Sequence, residues 1–312
     1  MPRSKNKTYR KNLFRRVRRP KLKHITILPS LVTILNGVCG FAAIALASKG
    51  AALGPGEFSY FAMAGYMVLI AMIADMLDGR LARMNQTTSS FGGQLDSLCD
   101  MVSFGVAPAF LMLKVLEHKV ASFEGLNPAT LTFLERFIWA VAAGYISCAA
   151  IRLARFNVEN EEDESAHMSF VGLPTPAAAG VVVSLVILHQ EILPNLNVIV
   201  YALPFCALGS AVLMVSRIQY PHILNQYLRG KKPLSYLIRV LLLSAFIYWT
   251  NIQAAMVLIF CGFAASSFVR WVYFKTISKK QKNITEVQPA LTIDTSSDNV
   301  ASGDELGQRD NY

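Results

Sequence analysis

Four aspartates form two closely spaced pairs in the first third of this chain. Asp75 and Asp78 lie in ADMLDGRLAR, and Asp96 and Asp100 lie in GGQLDSLCD, with NQTTSS between the two stretches. Spacings of three and four residues put side chains on one face of a helix, so two adjacent helices can bring the acids face to face. Crowded carboxylates repel one another, and hard divalent ions such as Mg²⁺ prefer carboxylate and phosphate oxygens. Two such ions about 3.5–4 Å apart would clamp a phosphoryl group.

Small residues interrupt the same two stripes. Gly79, Ala82 and Gly92 lie beside the acids and predict room for a bulky ligand between the helices. For Ala82 alone, close packing of two helices is an equally good explanation. Arg80 and Arg83 can neutralise part of the negative charge. Two guanidinium groups are nevertheless fewer than four carboxylates, so a divalent-cation site remains the prediction.

The elements that carry these acids are predicted to cross a membrane. The chain has 312 residues, of which 53% are apolar and 16% charged, whereas about a quarter of the residues are charged in a typical soluble domain. Eight segments are long and apolar enough to be candidate spans. They lie near 28 to 48, 57 to 77, 98 to 117, 134 to 154, 171 to 190, 196 to 216, 235 to 250 and 253 to 274.

The distribution of charge predicts how the spans are oriented. Eight spans place every strongly basic loop on the side of the basic N-terminus, so both termini and the acids are expected in the cytoplasm. Residues 1–24 hold eleven Lys or Arg and no acid, a pattern that favours the anionic cytoplasmic leaflet. Nucleic-acid binding is the alternative function of this segment, and it is not favoured because no nucleic-acid-binding domain accompanies the segment. Residues 277–312 are polar and are predicted to form a disordered tail.

The acidic motif resembles a known signature. The string D-x2-D-G-x2-A-R-x8-G-x3-D-x3-D, which runs from Asp75 to Asp100, is similar to that of the CDP-alcohol phosphatidyltransferases. The resemblance implies an all-α membrane protein with a six-helix core at 25–217, followed by two further transmembrane helices at 218–276. It also implies a homodimer and two divalent cations, Mg²⁺ or Mn²⁺, that bind the pyrophosphate of a CDP-linked lipid. CMP would be the leaving group.

The resemblance also implies roles for individual residues. Asp75, Asp78, Asp96 and Asp100 would be metal ligands, and Asp100 would also be the general base for the attacking hydroxyl. Gly79, Ala82 and Gly92 would line the cytidine pocket, and Arg83 would support the acids or the phosphates. Thr33 and Asn36, in the first span, are further expected neighbours of the nucleotide.

Other stretches favour one branch of that family. LPSLVTILNGVCGFAAI, MVSFGVAPA, AAIRLARFN, FVGLPTPAAAG and MVSRIQYP resemble the bacterial enzymes that use CDP-diacylglycerol and L-serine, which implies a location in the bacterial cytoplasmic membrane. Glycerol 3-phosphate and inositol phosphate are the alternative acceptors. A cation transporter is the rival from another class, since acids within a membrane often mark ion pathways. It predicts acids spread across the bilayer rather than grouped at one end.

Three polar residues at the end of the fourth span are candidates for binding the acceptor. Arg152, Arg155 and Asn157 are expected level with the acids. An arginine can bind the carboxylate of an amino acid through two hydrogen bonds. The alternative is that both arginines are ordinary anchors that extend to the membrane surface.

Overall fold

The computed structural model describes residues 27–50, 59–84, 90–122, 127–162, 170–216, 219–220, 251–266 and 269. The predicted basic segment 1–24, the predicted tail 277–312 and the predicted span 235–250 lie outside the described residues. Helices account for nearly all of the described chain, which confirms the all-α class.

Eight α-helices lie within the described residues. They are α1 (Ile27–Ala47), α2 (Tyr60–Met84), α3 (Ser90–Asp100), α4 (Ala107–Ala121), α5 (Pro128–Glu162), α6 (Thr175–Glu191), α7 (Asn197–Val215) and α8 (Ile252–Ser266). Two strands of two residues each, β1 (Phe170–Val171) and β2 (Gln219–Tyr220), pair antiparallel.

Five helical segments among the described residues are long and apolar enough to cross a membrane. They are Ser30–Ala47, Tyr60–Leu81, Phe91–Ala121, Pro128–Val158 and Asn197–Val215. Helices α6 and α8 are apolar but shorter. The multi-pass membrane class is therefore supported, and the count of eight spans stays a prediction.

The third of these segments is longer than the predicted 98 to 117, because a π-helical segment, Met101–Val106, joins α3 to α4 without a break. Such segments are rare and occur frequently at functional sites. This one follows directly after Asp100. Its residues Ser103, Phe104 and Gly105 are buried, and the hydroxyl of Tyr145 on α5 donates to the carbonyl of Phe104 at 3.3 Å.

Small residues let α1 approach its neighbours closely. A Cβ atom added at Gly40 would overlap Ser103 Oγ, and one added at Gly37 would lie 3.0 Å from Cys99 Sγ. Ala43 and Ala47 are also buried in the core. Lipid is as apolar as the helices themselves, so close van der Waals contact of this kind stabilises helix pairs in membranes. Helix α1 thus packs against α2, α3 and the π-helical segment.

The start of α6 is fixed against the end of α7. Gly172 has a φ of +88°, a conformation that glycine adopts without the steric penalty of a side chain. The N–H of Leu173 donates to the carbonyl of Leu213 at 3.0 Å. Pro174 then precedes the first turn of α6. The turn brings Thr175 to the end of the bundle where α5 carries its arginines.

Candidate active site

Three of the four aspartates converge between α2 and α3. Asp75 and Asp78 come from α2 and Asp96 comes from α3, and one carboxylate oxygen of each lies within 4.8 Å of the others. The acidic faces of the two helices, which the sequence predicted to lie opposite each other, therefore meet at these three residues. Asp78 is the most deeply buried of them, with 5% of its surface exposed.

The carboxylates of this group have oxygens left over for a ligand. Asp78 Oδ2 and Asp96 Oδ1 are buried and have no hydrogen-bond partner among the described residues. The Thr33 hydroxyl and the N–H of Gly79 hydrogen-bond to the carboxylate of Asp78. A buried acceptor with no donor is costly, by about 1–3 kcal/mol and more for a charged group. A cation bound between the carboxylates would remove this cost.

The donor set fits a hard divalent ion. Three carboxylates from two helices offer only oxygen atoms, which Mg²⁺ and Mn²⁺ prefer over softer ligands. The group is partly open to its surroundings, because Asp75 and Asp96 are only half-buried. The geometry thus fits a metal that also binds an incoming phosphate.

Asp100 occupies a different position from the other three. It lies one helical turn after Asp96, is 8% exposed and does not belong to the group whose oxygens converge. Its Oδ1 atom accepts a hydrogen bond from Asn36 Nδ2 at 2.9 Å. Of the predicted ligands, the structure therefore groups three and holds the fourth against α1.

Open space lies next to the acids on α2. Gly79 is half-buried, and a Cβ atom added there would meet no atom within 4 Å. Gly92, on α3, is also half-buried. Ala82 and Arg83 belong to α2, but their side chains lie outside the described ones. The open space at Gly79 is compatible with a ligand there, and the cytidine pocket stays a prediction.

The end of α5 contacts α3, α6 and α7. Ser97 Oγ donates to Asn157 Oδ1 at 2.9 Å, which connects the predicted acceptor residue to the neighbour of Asp96. Arg152 Nη1 donates to Thr175 Oγ1 at 3.1 Å, and Arg155 Nη1 donates to the carbonyl of Val215 at 3.4 Å. The surface-anchor alternative requires an exposed guanidinium group. Arg152 is only 9% exposed, which argues against that alternative for this residue.

The sequence interpretation missed several residues that position the site. Gly37 and Gly40 let α1 approach α3 and the π-helical segment, where Ser103 donates to α1, and Ser97 donates to Asn157 of α5. A signal existed for the glycines, since LNGVCG places two of them three residues apart on one face of α1. The serines carried no comparable signal.

Comparisons with known proteins identify a family whose model matches most of the described helices. A family model described as CDP-alcohol phosphatidyltransferase matches residues 26–215. A Helicobacter pylori (strain J99) protein is 35% identical over 227 residues, which are 72% of this chain and 86% of the relative. A Methanocaldococcus jannaschii protein is 32% identical over 205 residues, 66% of this chain and 79% of the relative. A Bacillus subtilis protein is 32% identical over 195 residues, which are 62% of this chain and 90% of the relative. All three are named CDP-diacylglycerol–serine O-phosphatidyltransferase.

Proposed function

Because the chain belongs to the CDP-alcohol phosphatidyltransferase family, we propose that it transfers the phosphatidyl group of CDP-diacylglycerol to the hydroxyl of L-serine. The products are phosphatidylserine and CMP. The observation that carries the proposal is the convergence of Asp75, Asp78 and Asp96 at one end of an apolar helix bundle, in a chain whose relatives bear the name of this activity.

The aspartates bind the metal in this proposal. Asp75, Asp78 and Asp96 hold divalent cations, Mg²⁺ or Mn²⁺, and Asp100 completes the set for a second ion as the family resemblance implies. The ions neutralise the negative charge of the pyrophosphate when they are bound. The protein itself needs no nucleophile, because phosphoryl transfer depends mainly on positioning and electrostatic stabilisation.

Asp100 acts as the general base. It takes the proton of the serine hydroxyl as the serine oxygen forms a bond to the phosphorus of the phosphatidyl group. The bond from that phosphorus to the bridging oxygen breaks, and CMP leaves with the electron pair. The burial of Asp100 supports this role, because a base shielded from bulk water serves the acceptor rather than the solvent.

The CDP-lipid lies over the small residues of α2 and α3. Gly79, Ala82 and Gly92 line the cytidine pocket, and Arg83 supports the phosphates. Thr33 forms the α1 side of the same pocket. The open space at Gly79 supports this placement.

Arg152, Arg155 and Asn157 bind the serine on the side of α5. The hydrogen bond between Ser97 and Asn157 supports this placement, because it joins the end of α5 to the helix that carries Asp96 and Asp100. Alanine variants of Arg152 and Arg155 are expected to raise the KM for serine by about tenfold, since one hydrogen bond to a charged group contributes about 1.5–3 kcal/mol. An unchanged KM for serine would remove both residues from the acceptor site.

The surrounding assembly is also part of the proposal. The protein spans the cytoplasmic membrane of a bacterium eight times, with both termini and the active site on the cytoplasmic side, and works as a homodimer. Residues 25–217 form the catalytic core, and 218–276 add two spans.

Release of CMP by the purified protein tests the reaction. CDP-diacylglycerol with L-serine and Mn²⁺ or Mg²⁺ should yield CMP and phosphatidylserine, and glycerol 3-phosphate or inositol phosphate in place of serine should yield much less. Prior chelation of divalent ions should stop the reaction, and added metal should restore it. Turnover that survives thorough chelation would contradict the metal site. Faster CMP release with another alcohol would reassign the acceptor.

Metal binding can be tested apart from turnover. Mn²⁺ at 100 times its dissociation constant should stabilise the folded protein by about 2.7 kcal/mol, which is measured as a rise in the melting temperature in detergent. Asp96→Asn should greatly reduce that rise. An equal rise in both proteins would place the ion elsewhere.

A further inference from the structure

Asn36 is a buried amide in the apolar helix α1. None of its surface is exposed, and its Nδ2 donates to Asp100 Oδ1 across 64 residues of chain at 2.9 Å. Buried polar groups are costly unless they form hydrogen bonds. An asparagine at this position therefore requires an explanation that the packing of apolar helices does not supply.

The main chain around Asn36 also forms a hydrogen bond, whereas its side-chain Oδ1 is buried and has no partner among the described residues. The hydroxyl of Ser103, itself fully buried, donates to the carbonyl of Asn36 at 2.8 Å. Gly40 permits this contact, because any side chain there would overlap Ser103. Ser103 lies in the π-helical segment, three residues after Asp100. Asn36 of α1 therefore contacts both Asp100, at the end of α3, and Ser103, in the π-helical segment.

The amide contact limits what Asp100 can do. An amide NH₂ group only donates, so it occupies Oδ1 of Asp100. Asp75, Asp78 and Asp96 form their group without Asp100. One oxygen of Asp100 is thus engaged by α1, and the carboxylate is fixed in orientation.

We propose that Asn36 is a positioning residue that orients the carboxylate of Asp100 as the base, an inference that rests on the proposed function. In this role Asn36 acts through Asp100 and does not bind the nucleotide. The proposal therefore differs from the expectation that Asn36 is a neighbour of the CDP group.

Kinetics of Asn36→Leu test the proposal, since leucine has a similar volume and no donor. The kcat should fall by about 10- to 100-fold, because a misplacement of about 1 Å can reduce a rate 100-fold. The KM for CDP-diacylglycerol should stay within about twofold, because Asn36 contacts the base and not the donor. Unchanged kcat would overturn the proposal. A matching loss of affinity for CDP-diacylglycerol would also overturn it and assign Asn36 to the donor site.

A milder variant covers the case in which Asn36→Leu does not fold. Ser103→Ala removes the hydroxyl that holds the Asn36 carbonyl and should lower kcat by about threefold to tenfold with KM unchanged. Ser184→Ala is the matched control, because Ser184 is also fully buried and donates to a main-chain carbonyl, that of Val181 at 3.2 Å. Equal kcat values in the two serine variants would overturn the positioning role.

Different results would contradict the proposed function and the positioning role of Asn36. If the wild-type protein releases no CMP with any alcohol, the proposed function is wrong, and the role of Asn36 falls with it. If the wild-type protein is active and Asn36→Leu is equally active, only the positioning role is wrong.

Discussion

The helix bundle carries polar side chains at both of its ends, and the two ends use them differently. At one end Asp75, Asp78 and Asp96 converge on one another. At the other end one oxygen of the Glu191 carboxylate, on α6, accepts from two neutral donors, while its buried Oε1 has no hydrogen-bond partner among the described residues. Tyr66 Oη and Gln253 Nε2 both donate to Glu191 Oε2 at 2.7 Å. A carboxylate among donors stabilises the fold, whereas carboxylates among carboxylates require a ligand.

The Glu191 cluster joins three helices. Tyr66 belongs to α2, Glu191 to α6 and Gln253 to α8. Phe260 of α8 packs against Gly180 of α6, where an added Cβ atom would overlap its ring. Helix α8 lies outside the residues matched by the family model, and these contacts attach it to the matched core. The comparison therefore predicts that substitutions at the acidic end reduce activity, while substitutions at the Glu191 end reduce stability.

The largest effect is expected for Asp78→Asn. The amide keeps the size of the side chain but removes a negative charge, so CMP release should fall by about 1000-fold or more, since a bound metal contributes several kcal/mol to catalysis. Stability without metal should stay equal or rise, because repulsion among the acids is relieved. The rate and the melting temperature in detergent check both statements.

Glu191→Gln is the matched control for this substitution. It makes the same acid-to-amide change at the other end and retains an oxygen that can accept from Tyr66, so its kcat should stay within about twofold of the wild-type value. The comparison would break if Asp78→Asn kept a tenth of the activity or if Glu191→Gln lost most of it.

Glu191→Ala should have an intermediate effect, on stability alone. Tyr66 and Gln253 lose their acceptor, and a buried donor left unsatisfied reduces stability by about 1–3 kcal/mol. Tyr66→Phe removes one donor and should reduce it by about 1 kcal/mol. Thermal unfolding measures both changes, and kcat per folded molecule should not change. Loss of activity at an unchanged melting temperature would instead give Glu191 a part in the chemistry.

Gly79→Leu should have the smallest of these effects, a change in the KM for CDP-diacylglycerol with little change in stability. The Cβ atom of the new side chain would have no atom within 4 Å, and replacing a glycine within a helix can raise stability by up to about 1 kcal/mol. The KM for CDP-diacylglycerol should rise by about tenfold, because the leucine fills space assigned to the cytidine. Gly209→Leu is the matched control, since Gly209 on α7 also has no atom within 4 Å of an added Cβ. Equal KM values in the two variants would show that the space at Gly79 is not used.

The sequence could predict the helices and the convergence of three acids, because both follow from local rules. Apolar length predicts each span, and a spacing of three places Asp75 and Asp78 on one face of α2. The separate position of Asp100 could not be predicted in this way. It depends on a hydrogen bond from Asn36, 64 residues earlier in the chain, and on the close approach at Gly40. Contacts between distant segments leave no periodic pattern.

The arginines of α5 show the same limit. Their charge and position suggested either an acceptor site or a surface anchor, and charge alone cannot separate the two. Burial argues against the surface anchor for Arg152, whose guanidinium group donates to Thr175 at the start of α6, and the acceptor site stays a prediction. That contact depends on the turn at Gly172, which the sequence shows only as a glycine before a proline-rich stretch.

The π-helical segment Met101–Val106 also determines where the chain tolerates a change of length. Such a segment accommodates about one residue more than an α-helix of the same rise, and each residue turns an α-helix by about 100°. Deletion of a single residue here can be absorbed by a return to regular α-helix. The same deletion early in α4 has no such reserve, and would turn buried residues such as Leu111 and Met112 away from the core.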